Sequence, residues 1–262
     1  MSRIQETFAR LAAERRTALM PYLTMGYPAL ESALELVPTL VEAGADLIEL
    51  GIPFSDPLAD GATIQASSQQ ALENGMTLAR CLEQAQALRA SGVSVPLVMM
   101  GYYNPILQMG IETFADRAAA VGIDGAIVPD LPPEESDALR DALHNCGIDL
   151  IFLLAPTADE DRIHNVAGRA SGFLYLVSLV GVTGARDRLP VELEDFVSRV
   201  RSATNLPLAV GFGIGTPEQA GRVARIADGV IVGSAVIRSL EADLPVASAS
   251  AFVRSLREGI DR

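Results

Sequence analysis

The sequence predicts a single α/β domain built as a (β/α)8 TIM barrel with an extra N-terminal helix, and three observations carry that reading. Short apolar runs rich in β-branched residues alternate with amphipathic stretches along the whole chain, the pattern of repeated βα units. Eight such runs fit within 262 residues, a length that suits one closed barrel. The runs are apolar on both alternation faces, as strands of a helix-covered parallel sheet must be. No linker, low-complexity tract or shift of composition divides residues 1–262.

In chain order, Ser2–Arg16 carries Arg and Glu at helical spacing ahead of the first strand and reads as a helix closing the barrel floor. Strand one is Ala18–Thr24, followed by a helix over Ala29–Ala43. Strand two, Asp46–Pro53, breaks at its proline into a loop bearing Asp56 and Asp60. A helix at Leu78–Ala90 leads to strand three, Val95–Tyr102, and a loop over Tyr102–Gly110. Strand four is Gly125–Asp130. The run Pro132-Pro-Glu-Glu then opens a helix over Pro133–Asn145, with proline near the first helical position and acids in the first turn. Strands five and six are Asp149–Ala155 and Phe173–Ser178. A helix over Val191–Ala203 precedes strand seven, Leu206–Gly213. Thr216-Pro-Glu-Gln starts the helix Pro217–Ile226, and strand eight is Gly229–Ser234.

Composition excludes several kinds of chemistry. The formal net charge is −13, and an acidic surface repels phosphate backbones, so no nucleic-acid partner is expected. No apolar run reaches the ~18 residues of a membrane span, and the N-terminus lacks the apolar core of a secretory signal. The two cysteines, Cys81 and Cys146, fall in predicted helices and suggest neither a disulfide framework nor a metal knuckle; a reducing cytoplasm is the expected location. All twenty basic residues are arginine. Without a lysine amine the chain cannot form a Schiff base with a carbonyl substrate or hold pyridoxal phosphate (PLP) as an internal aldimine. His144 and His164 lie on polar helical stretches and read as surface residues, so no metal site is expected. Acid–base work therefore falls to carboxylates, tyrosines or water.

Barrel enzymes carry their sites at the C-terminal ends of the strands, and the unusual residues of this chain lie there. Glu49 interrupts the apolar run of strand two, where an ionised carboxylate loses its hydration at a cost of several kcal/mol unless it is partnered. With Asp60 a short loop away, the two form a candidate pair for chemistry; the structural alternative makes Glu49 an ion-pair partner and Asp60 a turn residue. Tyr102 and Asn104 follow strand three, and Asp130 ends strand four. Tyr175 shares an alternation face with Phe173 and Val177 and is read either as catalytic or as ordinary core.

The last three strands run into glycine-bearing loops: Gly181-Val-Thr-Gly184, Gly211-Phe-Gly-Ile-Gly215, and Gly233-Ser234 at a helix start. Glycines let main-chain N–H groups approach an anion closely, and barrels commonly bind phosphate in this quadrant. The loop Leu179–Leu189 is long enough for a lid. Tyr22, Met100, Ile127 and Phe212 are candidates for an apolar wall between the carboxylates and the glycines. The combination suits an elongated substrate with an apolar middle and a phosphate tail.

The block Glu49-Leu-Gly-Ile-Pro-Phe-Ser-Asp-Pro-Leu-Ala-Asp-Gly61 closely resembles the signature of tryptophan synthase alpha chains. Gly101-Tyr-Tyr-Asn-Pro105, Val128-Pro-Asp-Leu-Pro132, Gly181-Val-Thr-Gly184 and Gly211-Phe-Gly213 resemble its other recurring blocks, so the likeness spans essentially the whole chain. Ala62 stands where that family usually has proline, and Val180 where a small or hydroxylated residue is common. The resemblance implies retro-aldol cleavage of indole-3-glycerol phosphate to indole and glyceraldehyde 3-phosphate. It implies Glu49 as general acid–base, Asp60 as acceptor of the indole N–H, and Tyr175 as an aid to positioning. Gly184, Gly213, Gly233 and Ser234 would hold the phosphate. The chain would carry no cofactor and would dock on a PLP-containing beta chain as an α2β2 assembly, with Asp56 and Asn104 as polar links. A free-standing indole-releasing lyase and a catalytically silent activator of a beta chain are the alternatives.

Overall fold

A computed structural model describes residues 1–177, 191–211 and 213–262. Eight strands pair in chain order: β1 (Ala18–Thr24), β2 (Ile48–Gly51), β3 (Leu97–Met100), β4 (Gly125–Ile127), β5 (Asp149–Leu154), β6 (Leu174–Val177), β7 (Leu208–Gly211) and β8 (Gly229–Val232). Every pairing is parallel, and β8 closes on β1 to complete the barrel. The helices are α1 (Arg3–Ala13), α2 (Ser32–Glu42), α3 (Ala62–Glu73), α4 (Leu78–Ala90), α5 (Tyr103–Met109) and α6 (Ile111–Ala120). They continue with α7 (Asp137–Asn145), α8 (Glu160–Arg169), α9 (Val191–Ala203), α10 (Pro217–Ala224), α11 (Ser234–Ser239) and α12 (Pro245–Ile260).

The alternation of each strand sorts the core into two layers. Outward residues such as Leu19, Ile48, Leu97, Leu150 and Leu174 pack under the helices. Inward ones, including Met20, Leu47, Val98, Ile127, Ile151 and Ile231, fill the barrel interior. α1 closes the floor as its spacing predicts: Ile4, Phe8 and Leu11 join the inner cluster, and the Phe8 ring lies 5.8 Å from that of Phe173. Its N-terminus is fixed by a capping box between Ser2 and Gln5. Carboxylates at the strand starts also pin the floor. Asp46, Asp124 and Asp228 each accept an N–H at the start of a neighbouring strand, from Leu19 (3.0 Å), Leu97 (2.8 Å) and Leu208 (2.8 Å) respectively. Asp46 and Asp124 are buried and ion-paired with Arg257 and Arg89.

Most strands and several helices are shorter by a few residues than their sequence expectation, and three features differ in kind or place. The segment Tyr102–Gly110 is not a loop but contains α5. Asp130 does not end β4; it lies in the following turn, where its Oδ1 accepts the N–H of Tyr103 at 2.9 Å. The helix expected over Pro133–Asn145 divides into a 3-10 turn at Pro133–Glu135 and α7, because the buried Ser136 hydroxyl donates to the Pro133 carbonyl at 2.7 Å. The Leu179–Leu189 loop, Val180, Gly184 and Phe212 lie outside the described residues. Among the described residues no helix is long and apolar enough to cross a membrane.

Candidate active site

A cavity of about 310 Å3 opens at the C-terminal end of the barrel. Its deep wall comes from inward positions of four strands: Tyr22 on β1, Glu49 on β2, Met100 on β3 and Tyr175 on β6. Ile231 on β8, with Ile64 and Ile214, adds apolar surface. Asp60 and Gly61 close one side, while Gly213, Gly215, Gly233, Ser234, Ala235 and Arg238 line the other. The carboxylates of Glu49 and Asp60 and a glycine-rich rim thus face one space. Ile127 belongs to the packed inner cluster and is not part of this wall.

The surroundings of Glu49 bear on the ion-pair reading made of it. It is paired in register with Tyr22 on one side and Val98 on the other, and is 2% exposed. No ion pair among the described residues includes it, and its Oε2 has no hydrogen-bond partner among them. Burial, and secondarily the charge of Asp60, push its carboxyl up to about 8. A buried acid without a cation cannot be a structural ion-pair partner; at neutral pH it holds a proton that it can give up.

Asp60 is positioned by a neighbour that the sequence did not single out for that purpose. The Tyr102 hydroxyl donates to Asp60 Oδ2 at 3.1 Å and accepts the N–H of Ala59 at 2.9 Å. The Tyr102 ring stacks on Phe54, with centroids 5.1 Å apart. One side chain therefore fixes both ends of the loop that follows β2. Burial raises the Asp60 carboxyl, and the hydrogen bond from Tyr102 opposes the rise. Asp56 and Asn104 sit exposed on the two segments joined by this contact, with exposed Leu58 and Leu107 beside them in sequence.

Tyr22 and Tyr175 fit because glycines stand opposite them. A Cβ on Gly51 would lie 2.1 Å from the Tyr22 hydroxyl, and one on Gly211 would lie 2.4 Å from that of Tyr175. The register repeats: Thr24 pairs with Gly51 and Val177 with Gly211, each the next-but-one residue after its tyrosine. Burial raises both phenols, so neither is ionised at neutral pH. Tyr22 also accepts a hydrogen bond from Thr24 Oγ1 (3.3 Å), whose oxygen lies 2.7 Å from Ser67 Oγ on α3. That buried chain ties the helix behind Asp60 to β1.

At the glycine-rich end the main chain itself lines the cavity. The Gly215 N–H is already used by Gln219 Oε1 at 2.7 Å, leaving the approach to Gly213, Gly233 and Ser234. Ile64, Ile214, Ile231 and Arg238 were not anticipated; for Ile231 the signal was its alternation parity with Gly233. His144 and His164 are exposed. Among the described residues no cluster of His, Cys, Asp and Glu could hold a metal.

Comparison with known proteins agrees with this geometry. The sequence profile described as "Tryptophan synthase alpha chain" matches residues 8–258. The tryptophan synthase alpha chain of Chloroflexus aurantiacus is 56% identical over 265 residues, covering 100% of both chains. That of Roseiflexus castenholzii is 55% identical over 260 residues, covering 98% of this chain and 100% of the relative. The crystal structure of tryptophan synthase subunit alpha from Legionella pneumophila superposes with a TM-score of 0.93 at 40% identity, over 100% of this chain and 99% of that one. A chain of Mycobacterium tuberculosis tryptophan synthase superposes with a TM-score of 0.91 at 36% identity, over 99% and 98% of the two chains. With more than half of its residues shared along its full length with such relatives, and a barrel that overlays theirs, the chain belongs to the tryptophan synthase alpha chain family.

Proposed function

We propose that this chain cleaves indole-3-glycerol phosphate to indole and glyceraldehyde 3-phosphate, with Glu49 as the proton carrier. The observation that supports this most directly is the buried, cation-free Glu49 carboxyl facing a cavity that also holds Asp60. Neutral Glu49 gives its proton to indole C3, which turns the ring into an electron sink. The resulting carboxylate then accepts the proton of the side-chain hydroxyl next to the scissile bond. As that carbon–carbon bond breaks, its electrons return to the ring and the aldehyde forms. Glu49 ends protonated, ready for the next turnover.

Asp60, ionised and held by Tyr102, accepts a hydrogen bond from the indole N–H and stabilises the positive charge that develops there. Tyr22, Met100, Tyr175 and Ile231 offer the apolar wall for the ring. The phosphate lies at Gly213, Gly233 and Ser234, and Gly184 joins them in this reading. Binding at that end orients the reacting end without taking part in bond cleavage.

In the same reading, exposed Asp56 and Asn104, with Leu58 and Leu107, dock on a beta chain in an α2β2 assembly. PLP belongs to that partner, because this chain has no lysine with which to form an aldimine. The test is indole release from indole-3-glycerol phosphate, by the chain alone and with a beta chain added. Slow release that rises strongly with the beta chain supports both the reaction and the partnership. Fast release unaffected by it points to a free-standing lyase. No release under either condition rejects the catalytic reading. Glu49→Gln should lower turnover ~10²–10⁴-fold while substrate still binds.

A further inference from the structure

We infer that Arg238 supplies the positive charge for the substrate's phosphate and sets the affinity for phosphorylated over unphosphorylated ligands, an assignment that rests on the reaction proposed above. Arg238 is the sole basic residue among the described residues lining the cavity, and it stands at the glycine-rich end. Its i,i+4 spacing from Ser234 and i,i+3 spacing from Ala235 place all three on one face of α11, and all three line the cavity. A helical side chain leans towards the N-terminus of its helix, here back over the Gly233–Ser234 corner. A Cβ on Gly215 would lie 4.0 Å from Arg238 Nη2, so the guanidinium passes over a glycine that leaves it room. Among the described residues no side-chain hydrogen bond or ion pair engages the Arg238 guanidinium, while its carbonyl accepts the N–H of Glu241.

Electrostatics favour a positive charge at this end of the cavity. A phosphate monoester carries nearly two negative charges at neutral pH. It must enter a chain of net charge −13, into a cavity that already holds the Asp60 carboxyl. Main-chain N–H groups are neutral donors, the Gly215 N–H is occupied by Gln219, and α11 is only six residues long, so little helix dipole is available. Arg238 balances part of the anion's charge and offers a planar fork of donors to its oxygens. Because this contact is present equally before and during bond cleavage, it acts on binding and not on the chemical step.

The experiment compares wild type with Arg238→Gln and Arg238→Lys. Each is measured for cleavage of indole-3-glycerol phosphate and, by calorimetry, for binding of glycerol 3-phosphate. Thermal melting checks that the fold is kept. In Arg238→Gln the KM and the Kd for glycerol 3-phosphate should both rise about tenfold, with kcat within about twofold; lysine should restore most of the loss. Added salt should raise the wild-type KM and leave that of Arg238→Gln nearly unchanged. Unaltered KM and Kd in a folded Arg238→Gln protein would overturn the assignment, as would a fall in kcat at constant KM. If no variant cleaves the substrate but glycerol 3-phosphate binding still depends on Arg238, the proposed reaction fails and the phosphate contact stands. Absence of both cleavage and binding overturns both.

Discussion

The Tyr102 hydroxyl donates to Asp60 Oδ2 at 3.1 Å while accepting the Ala59 N–H at 2.9 Å, so one phenol at the end of β3 fixes the loop that follows β2. This contact sets both the position and the charge of Asp60. Tyr102→Phe keeps the ring stacked on Phe54 and removes only the hydroxyl. The bond from Tyr102 lowers the Asp60 carboxyl, so its loss lets burial push the group higher. Asp60 acts as a carboxylate; activity is present above its pKa and lost as pH falls through it. The acid limb of the kcat/KM profile for indole-3-glycerol phosphate should therefore move to higher pH, with about a tenfold loss at neutrality, worth ~1.4 kcal/mol. An unshifted limb would show that Asp60 does not depend on Tyr102.

Glu49 carries a stability cost that its role explains. Its folded pKa of about 8 lies above the ordinary 4.5. Between those values the folded chain retains a proton that the unfolded chain releases, so this contribution to stability is full below about pH 4.5 and is lost as pH rises through about 8. Glu49→Gln removes the titration while preserving shape. Its stability should exceed that of wild type by a margin that grows from pH 5 to pH 8.5, reaching at most a few kcal/mol and read as a rising difference in melting temperature. A margin that does not change with pH would mean that Glu49 is ionised in the fold throughout.

The tyrosine–glycine pairs predict a contrast among glycine-to-alanine substitutions. In Gly51→Ala and Gly211→Ala the new methyl meets a buried phenol at 2.1 and 2.4 Å, and both tyrosines stand in a packed wall. Each should lose roughly 1–3 kcal/mol of stability, the usual cost of overpacking, and activity should fall with the displaced ring. Gly168 lies exposed in α8 with open space around its Cβ position. Gly168→Ala should instead stabilise by up to about 1 kcal/mol and leave cleavage unchanged. Urea denaturation of the three variants checks the ordering.

The barrel was legible in the sequence because its strands are apolar on both faces and punctuated by Gly and Pro, a pattern that few other folds require. Glu49 was legible because a charge inside such a run is costly anywhere. Depth within the barrel was not legible. Ile127 and Ile231 both face inward and belong to the packed inner cluster, yet only Ile231 also lines the cavity, and alternation gives parity without height along the axis. The helix α5 was hidden by Pro105, since the residue before a proline disfavours helical geometry. Here the proline falls in the first turn, where its missing N–H would have had no helical partner. Arg238 carried no signal in the sequence, since a lone arginine on a helix is usually a solvated charge; the fold brings α11 to the rim.

Ala62 departs from the family's usual proline without departing from proline's geometry. It is the first residue of α3, directly after Gly61, and both are exposed. Gly61 has φ −76° and ψ 164°, the extended conformation that a residue preceding proline prefers. The N–H at the first helical position has no intrahelical acceptor, so a pyrrolidine ring there removes no bond. Ala62→Pro should therefore restrict the unfolded chain more than it perturbs the folded one, stabilising by about 0.4–1 kcal/mol. Because Asp60 lies immediately before this corner, a stiffer entry to α3 should leave kcat/KM unchanged or raise it. Melting curves and cleavage rates of Ala62→Pro check both halves. A fall in activity despite a higher melting temperature would show that the Asp60–Ala62 corner must bend during turnover, and that alanine is kept here for that motion.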